Sequence, residues 1–117
     1  MKPCLYIAHE YGRRHLLSEG ECLANVQKSV EIERECIIRG WNTFNPLHHH
    51  WVHAGWEETL PEEEYFELVS HWIRYCDAFL QGSTIRWEAS GVQRELNLAM
   101  QLNLDIYYSL NEVPFRR

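Results

Sequence analysis

The sequence predicts a three-layer α/β fold: a mainly parallel sheet of four strands with helices on both faces. The first observation behind this is alternation. Short apolar runs of strand length alternate with segments of helical periodicity along the chain, in the pattern β-α-β-α-β-α-β. The second is the geometry of such connections, because parallel strands need crossovers of one hand, which place helices on both faces. The third is that 117 residues carry no repeat, low-complexity tract or linker, so residues 1–117 read as one domain. The expected strand order is 2-1-3-4, a flavodoxin- or Rossmann-like sheet. Ligands in such sheets bind beyond the carboxyl ends of the strands, where the order reverses.

Residues 4–8, CLYIA, form an apolar run suited to a buried strand. The loop HEYGRRHLLSEG follows, punctuated by Gly12 and Gly20. From 21 to 39, Leu23, Val26, Val30 and Ile37 keep a helical stripe that Arg39-Gly40 stops. WNTFNP alternates as a strand ended by Pro46, and 47–60 reads as a long loop rich in His and Trp. Thr59 and Glu62 frame a capping signal around Pro61, opening a helix over 61–75 that should bury Tyr65, Phe66, Val69, Trp72 and Ile73. CDAFLQ is the third strand and GSTIRWEA a loop. A helix over 90–103 begins at Ser90, with Gln93 in the capping-box position. DIYYSL is the fourth strand and NEVPFRR a tail.

Composition narrows the function. A net charge of −6 argues against a nucleic-acid polymer as partner, since that grip needs clustered positive charge. No apolar run approaches the roughly 20 residues of a membrane span, and MKPCLYIAHE lacks the apolar core of a signal peptide. Cys4, Cys22, Cys36 and Cys76 form no C-x-x-C pair and read as free thiols of a reducing compartment, which makes the cytoplasm the expected location. The exposed aromatic segment WVHAGW leads us to expect a homo-oligomer, most simply a dimer.

One residue breaks the pattern in a way that points to chemistry. On a wheel of about 100° per residue, Val92, Leu96, Ala99 and Leu102 form one apolar arc, and Glu95 falls inside it. A carboxylate there is either a packed stem with a solvated head, or a half-dry nucleophile or base at the crevice. Desolvation raises its pKa and the helix start lowers it. Tyr6 lies inside the first strand, either as a core aromatic or with its hydroxyl in the crevice. Asp77 opens the third strand, where a free carboxylate is unusual, and can cap the preceding helix or bind a sugar or base edge. Arg13 and Arg14, beside Gly12 and after the first strand, are either solvated loop charges or contacts for a phosphate. His48, His49, His50 and His53 lack the convergent set that zinc needs, so His48 reads as a ligand hydrogen-bonder and no metal is expected. G-x-x-x-x-G-K-[ST] and G-x-G-x-x-G are both absent.

With these residues in view, the chain resembles the nucleoside 2-deoxyribosyltransferase-like superfamily, in particular its small bacterial and phage branches. The resembling segments are LYIAHEYG, ANVQKS, RGWNTFNPLHH, YCDAFLQGS and WEASGVQRELNLAMQLNLDIYY, in the family's order across most of residues 5–108. The resemblance implies N-glycosidic chemistry. The G-x-x-x-E spacing carries the nucleophile onto Glu95, with Gly91 before it. The first-strand Tyr carries onto Tyr6, which would orient the nucleophile, and the Asp of the C/A-D-A motif onto Asp77, a sugar or base contact. Glu10 stands where relatives often have Gly or Pro, and Ala89 where they commonly have Ser, with Ser90 adjoining the glycine. Both departures weigh against a 5′-monophosphate.

The expected protein is thus an N-glycosidase or deoxyribosyltransferase acting on a nucleoside or nucleotide. Glu95 would be its nucleophile, Tyr6 and Asp77 would position the reactants, and Ser90 and Arg13 would meet any phosphate. No cofactor is needed, because the covalent step rests on one carboxylate. The alternative is a nucleotide-binding or sensing module that keeps the fold without turnover.

Overall fold

A computed structural model describes residues 2–11, 17–53, 56, 61–82 and 91–116. Its strands are β1 (Cys4–Ala8), β2 (Asn42–Phe44), β3 (Ala78–Gln81) and β4 (Asp105–Tyr107). Its helices are α1 (Glu19–Ile38), α2 (His50–His53), α3 (Glu62–Ile73) and α4 (Gly91–Gln101), with 3-10 turns at Pro46–His49 and Leu110–Glu112. The sheet has the order β2-β1-β3-β4, and all three pairings are parallel. Tyr6 stands in register with Phe44 on one side and Phe79 on the other. The strand order reverses between β1 and β3, so the crevice of such a fold opens past Ala8 and Gln81.

Strand alternation divides the core into two layers. Tyr6, Ala8 and Phe79 face Val69 and Ile73 of α3 and Val92, Leu96 and Ala99 of α4. Leu5, Ile7, Ala78 and Leu80 face Cys36 of α1, Trp41 and Val113. Arg94 fastens α4 to α3 through a two-pronged ion pair with Glu63, at 2.8 and 3.0 Å, and its guanidinium lies 4.0 Å from the Phe66 ring centroid. Among the described residues, no helix is long and apolar enough to cross a membrane.

The structure departs from the expected elements at several points. α1 starts earlier than expected because Ser18 and Glu21 form a reciprocal capping box. It buries Cys22, Asn25, Val26, Ser29 and Cys36, whereas Ile37 of the expected stripe is half exposed. The polar members of that face are satisfied: Asn25 donates to the Tyr11 carbonyl, and Ser29 to that of Val26. Gly40 ends the helix at φ +97°, and a Cβ there would collide with the Arg116 carbonyl.

The segment expected as an open loop after β2 is helical over Pro46–His53, because Asn45 accepts from the Leu47 amide and caps it. α3 is capped at Pro61 without a side-chain bond, and Thr59 lies outside the described residues. Trp72 is 44% exposed rather than buried, since its role is to stack on Phe44 at 5.2 Å. The C-terminal segment is docked and is no free tail. Arg39 donates to the carbonyls of Leu110 and Val113, Trp41 donates to that of Pro114, and Val113 is buried.

Candidate active site

α4 begins beside the crevice, and its inward arc carries Glu95 along with Val92, Leu96 and Ala99. Glu95 is buried, and the Tyr6 hydroxyl donates to its Oε1 at 2.7 Å across the interface between β1 and α4. The second oxygen, Oε2, has no donor among the described residues. Burial lifts the Glu95 carboxyl from 4.5 to about 7, against the opposing pull of the Tyr6 bond. The same burial, with Glu95 beside it, pushes the Tyr6 phenol well above its usual range. The proton of the pair therefore stays on Tyr6, which acts as a fixed donor. A carboxyl poised near neutrality and held by one donor can serve as a nucleophile or a base.

Tyr6 is held by aromatic stacking. Its ring lies 5.5 Å from Phe79 and 5.6 Å from Phe44, and Phe44 stacks in turn on Trp72 of α3. The stack crosses three strands and fixes the ring plane, so the hydroxyl is presented to Glu95 with little freedom left to lose.

Two further tyrosines belong to this region. Tyr65 of α3 is half buried and donates to the Pro46 carbonyl at 3.0 Å. Its phenol is pushed up chiefly by burial and then by the charges of Glu95 and Tyr11. Tyr11 follows β1 and its hydroxyl bonds His50 Nδ1, while the His49 ring meets Tyr65 edge-on at 5.9 Å. Sequence reasoning placed Tyr65 in the core and passed over Tyr11. Its position in the first crevice loop was the available signal.

At the end of β1, His9 and Glu10 are both buried, with His9 Nδ1 3.4 Å from Glu10 Oε2 and 2.9 Å from the Glu10 carbonyl. Glu10 Oε2 has no hydrogen-bond partner among the described residues. Glu10 is the next residue in the Tyr6–Ala8 alternation, just beyond the strand end.

The other expected site residues fall elsewhere. Asp77 is not brought to Glu95. It sits at the amino end of β3, where its Oδ2 accepts from the Cys4 amide and its own amide donates to the Cys4 carbonyl, both at 2.8 Å. It braces the strand pair at the end of the sheet opposite the crevice. His48 is exposed, and its Nε2 is engaged at 2.7 Å by Glu33 of α1, which also accepts from Thr43 and Asn45. Gly91 opens α4 on the surface, and a Cβ there would meet nothing within 4 Å. Gly12, Arg13 and Ser90 lie outside the described residues. Among the described residues, no three His, Cys, Asp or Glu side chains gather as a metal set.

Compared with protein-family models and with curated proteins, the chain matches none.

Proposed function

We propose that the protein cleaves the N-glycosidic bond of a nucleoside or nucleotide, with Glu95 as nucleophile and Tyr6 as the group that orients it. The observation that carries this reading is the 2.7 Å bond from Tyr6 to a buried Glu95 whose other oxygen has no donor among the described residues. The resemblance of the sequence to nucleoside 2-deoxyribosyltransferase-like proteins supplies the substrate class. In the reaction, the free carboxylate oxygen attacks the anomeric carbon, and the bond to the base nitrogen breaks. The electron pair leaves with the base, which takes a proton from water. Water or a second base then attacks the anomeric carbon of the glycosyl-enzyme and the bond to Glu95 breaks; the free sugar or a new nucleoside leaves, the nucleophile's proton passes to solvent, and the carboxylate is restored.

Burial serves this chemistry, because a poorly hydrated carboxylate is a stronger nucleophile once ionised. Tyr11 and Tyr65, both only partly buried, offer ring surface suited to a base or sugar, whereas the Tyr6 ring is covered by Phe44 and Phe79 and contributes its hydroxyl alone. Glu10 supplies acceptors where a phosphate needs donors, which favours nucleosides over 5′-monophosphates. The four free cysteines support a cytoplasmic location, and a covalent step that rests on one carboxylate needs no metal or cofactor.

Incubation with a panel of nucleosides and 5′-monophosphates, followed by chromatography for free base, tests the proposal. Base release that depends on the protein is expected for at least one nucleoside. Saturable binding without base release would favour a sensing module instead.

A further inference from the structure

The four cysteines are all free, but two of them are not isolated. Cys4 opens β1 and Cys76 lies between α3 and β3, and their sulfurs stand 3.4 Å apart. Nothing in the sequence spacing announces this pair, because its members lie 72 positions apart and only the β1–β3 pairing brings them together.

The backbone around the two residues is braced. The Asp77 amide donates to the Cys4 carbonyl and the Cys4 amide to the Asp77 carboxylate, which sets Cys4 beside the residue that follows Cys76. The sulfurs need to close by only about 1.4 Å to reach a bond of about 2.05 Å. The two thiols also differ in character. Cys4 is half buried, and the hydrogen bond from Cys76 holds its thiol below the usual range. Cys76 is buried, bonded to Cys4 and to the Trp72 carbonyl, and its thiol is pushed up. A half-buried thiol held below its usual range, in contact with a second that keeps its proton, is the arrangement of an attacking and a resolving cysteine.

We propose that Cys4 and Cys76 form a dithiol site that reacts with low-molecular-weight disulfides and closes to an intramolecular disulfide. The Cys4 thiolate attacks one sulfur of the incoming disulfide, the sulfur–sulfur bond breaks, and one small thiolate leaves. Cys76 then loses its proton and attacks the Cys4 sulfur, expelling the second small thiolate. The two cysteines are oxidised, the incoming disulfide is reduced to two thiols, and the two protons pass to those thiols through solvent. Cys22 and Cys36 lie on α1, packed on the other face of the sheet, and take no part. The site is independent of the glycosidic reading, since it lies at the amino ends of the strands.

The test uses folded protein incubated with oxidised glutathione. Thiols titrated after denaturation should fall from four to two, and peptide mapping should recover Cys4 joined to Cys76, reversibly on reduction. Under the same conditions Cys76→Ser should stop at a glutathione adduct on Cys4, and Cys4→Ser should keep its three remaining thiols. Four persisting thiols in the parent protein would overturn the proposal. So would a bond joining other cysteines or two chains, or a folded Cys76→Ser protein with Cys4 unmodified. Because Cys4 is half buried, its serine variant keeps the test decisive even if Cys76→Ser does not fold.

Discussion

Replacing Glu95 by Gln separates a catalytic carboxylate from a structural one, and the structure fixes the sign of each effect. The unfolded carboxyl titrates near 4.5 and the folded one at about 7. The folded state therefore binds the proton more tightly, and stability falls as pH rises from 4.5 to 7, then stays flat. At about 1.4 kcal/mol per pKa unit, the ionised form costs the fold about 3 kcal/mol at pH 8 and under about 1 at pH 5. A glutamine at this position does not titrate, so the variant escapes that cost. Against this, its amide nitrogen loses water at a site where Tyr6 donates to the oxygen, a penalty of about 1–2 kcal/mol. The variant should be more stable than the parent by about 1–2 kcal/mol at pH 8, and equal or slightly weaker at pH 5. At roughly 4 °C per kcal/mol for a chain of this size, the difference in melting temperature between variant and parent should change by about 10 °C across that range. Base release should fall by about a thousandfold or more, because the covalent path is gone. A variant that melts earlier at pH 8 yet releases base normally would refute the catalytic role.

The Tyr6 hydroxyl keeps Glu95 from titrating still higher, so Tyr6→Phe should move the acid limb of the pH–rate profile upward from about 7 and slow turnover about 10- to 100-fold near neutrality; an unmoved limb contradicts the orienting role. Asp77 braces the amino ends of β1 and β3, so Asp77→Asn should leave base release within about threefold while costing up to about 1 kcal/mol in denaturant melts; a large kinetic loss without a change in stability would put Asp77 back in the site. Trp51 and Val52 of α2 are 59% and 58% exposed, and the expected two-fold dimer should show as twice the chain mass in light scattering at micromolar concentration, whereas a one-chain mass contradicts it. The His48–His53 segment should hold no stoichiometric zinc after dialysis, and a melting temperature that drops on chelation would contradict that.

The sheet was readable from the chain because its central strands β1 and β3, buried on both faces, appear as apolar runs, β2 shows alternation, and the crossover rule leaves few orders for four strands. Glu95 was readable because one charge on an apolar arc is conspicuous on a helical wheel, and Tyr6 because it sits mid-strand. The buried face of α1 was not. That helix lies against the sheet through small and polar residues, Cys22, Asn25, Ser29 and Cys36, whose burial depends on partners distant in sequence. Asp77 misled for a related reason. A carboxylate at a strand start looks free in sequence, and only the register shows it bonded to the Cys4 amide. The helical turn at Pro46–His53 was hidden because Pro46 marks both a strand end and a helix start, and Asn45 decides between them. The Cys4–Cys76 pair is purely a product of tertiary pairing.

A nucleophilic Glu95 must become glycosylated during turnover. Mixing the protein with a cleaved nucleoside, quenching with acid within the first turnover and mapping peptides by mass spectrometry tests this directly. One glycosyl group is expected on the peptide that contains Glu95, disappearing when the Glu95→Gln variant is used. Base released in the first turnover with no glycosylated peptide, or with the sugar on another residue, would contradict it.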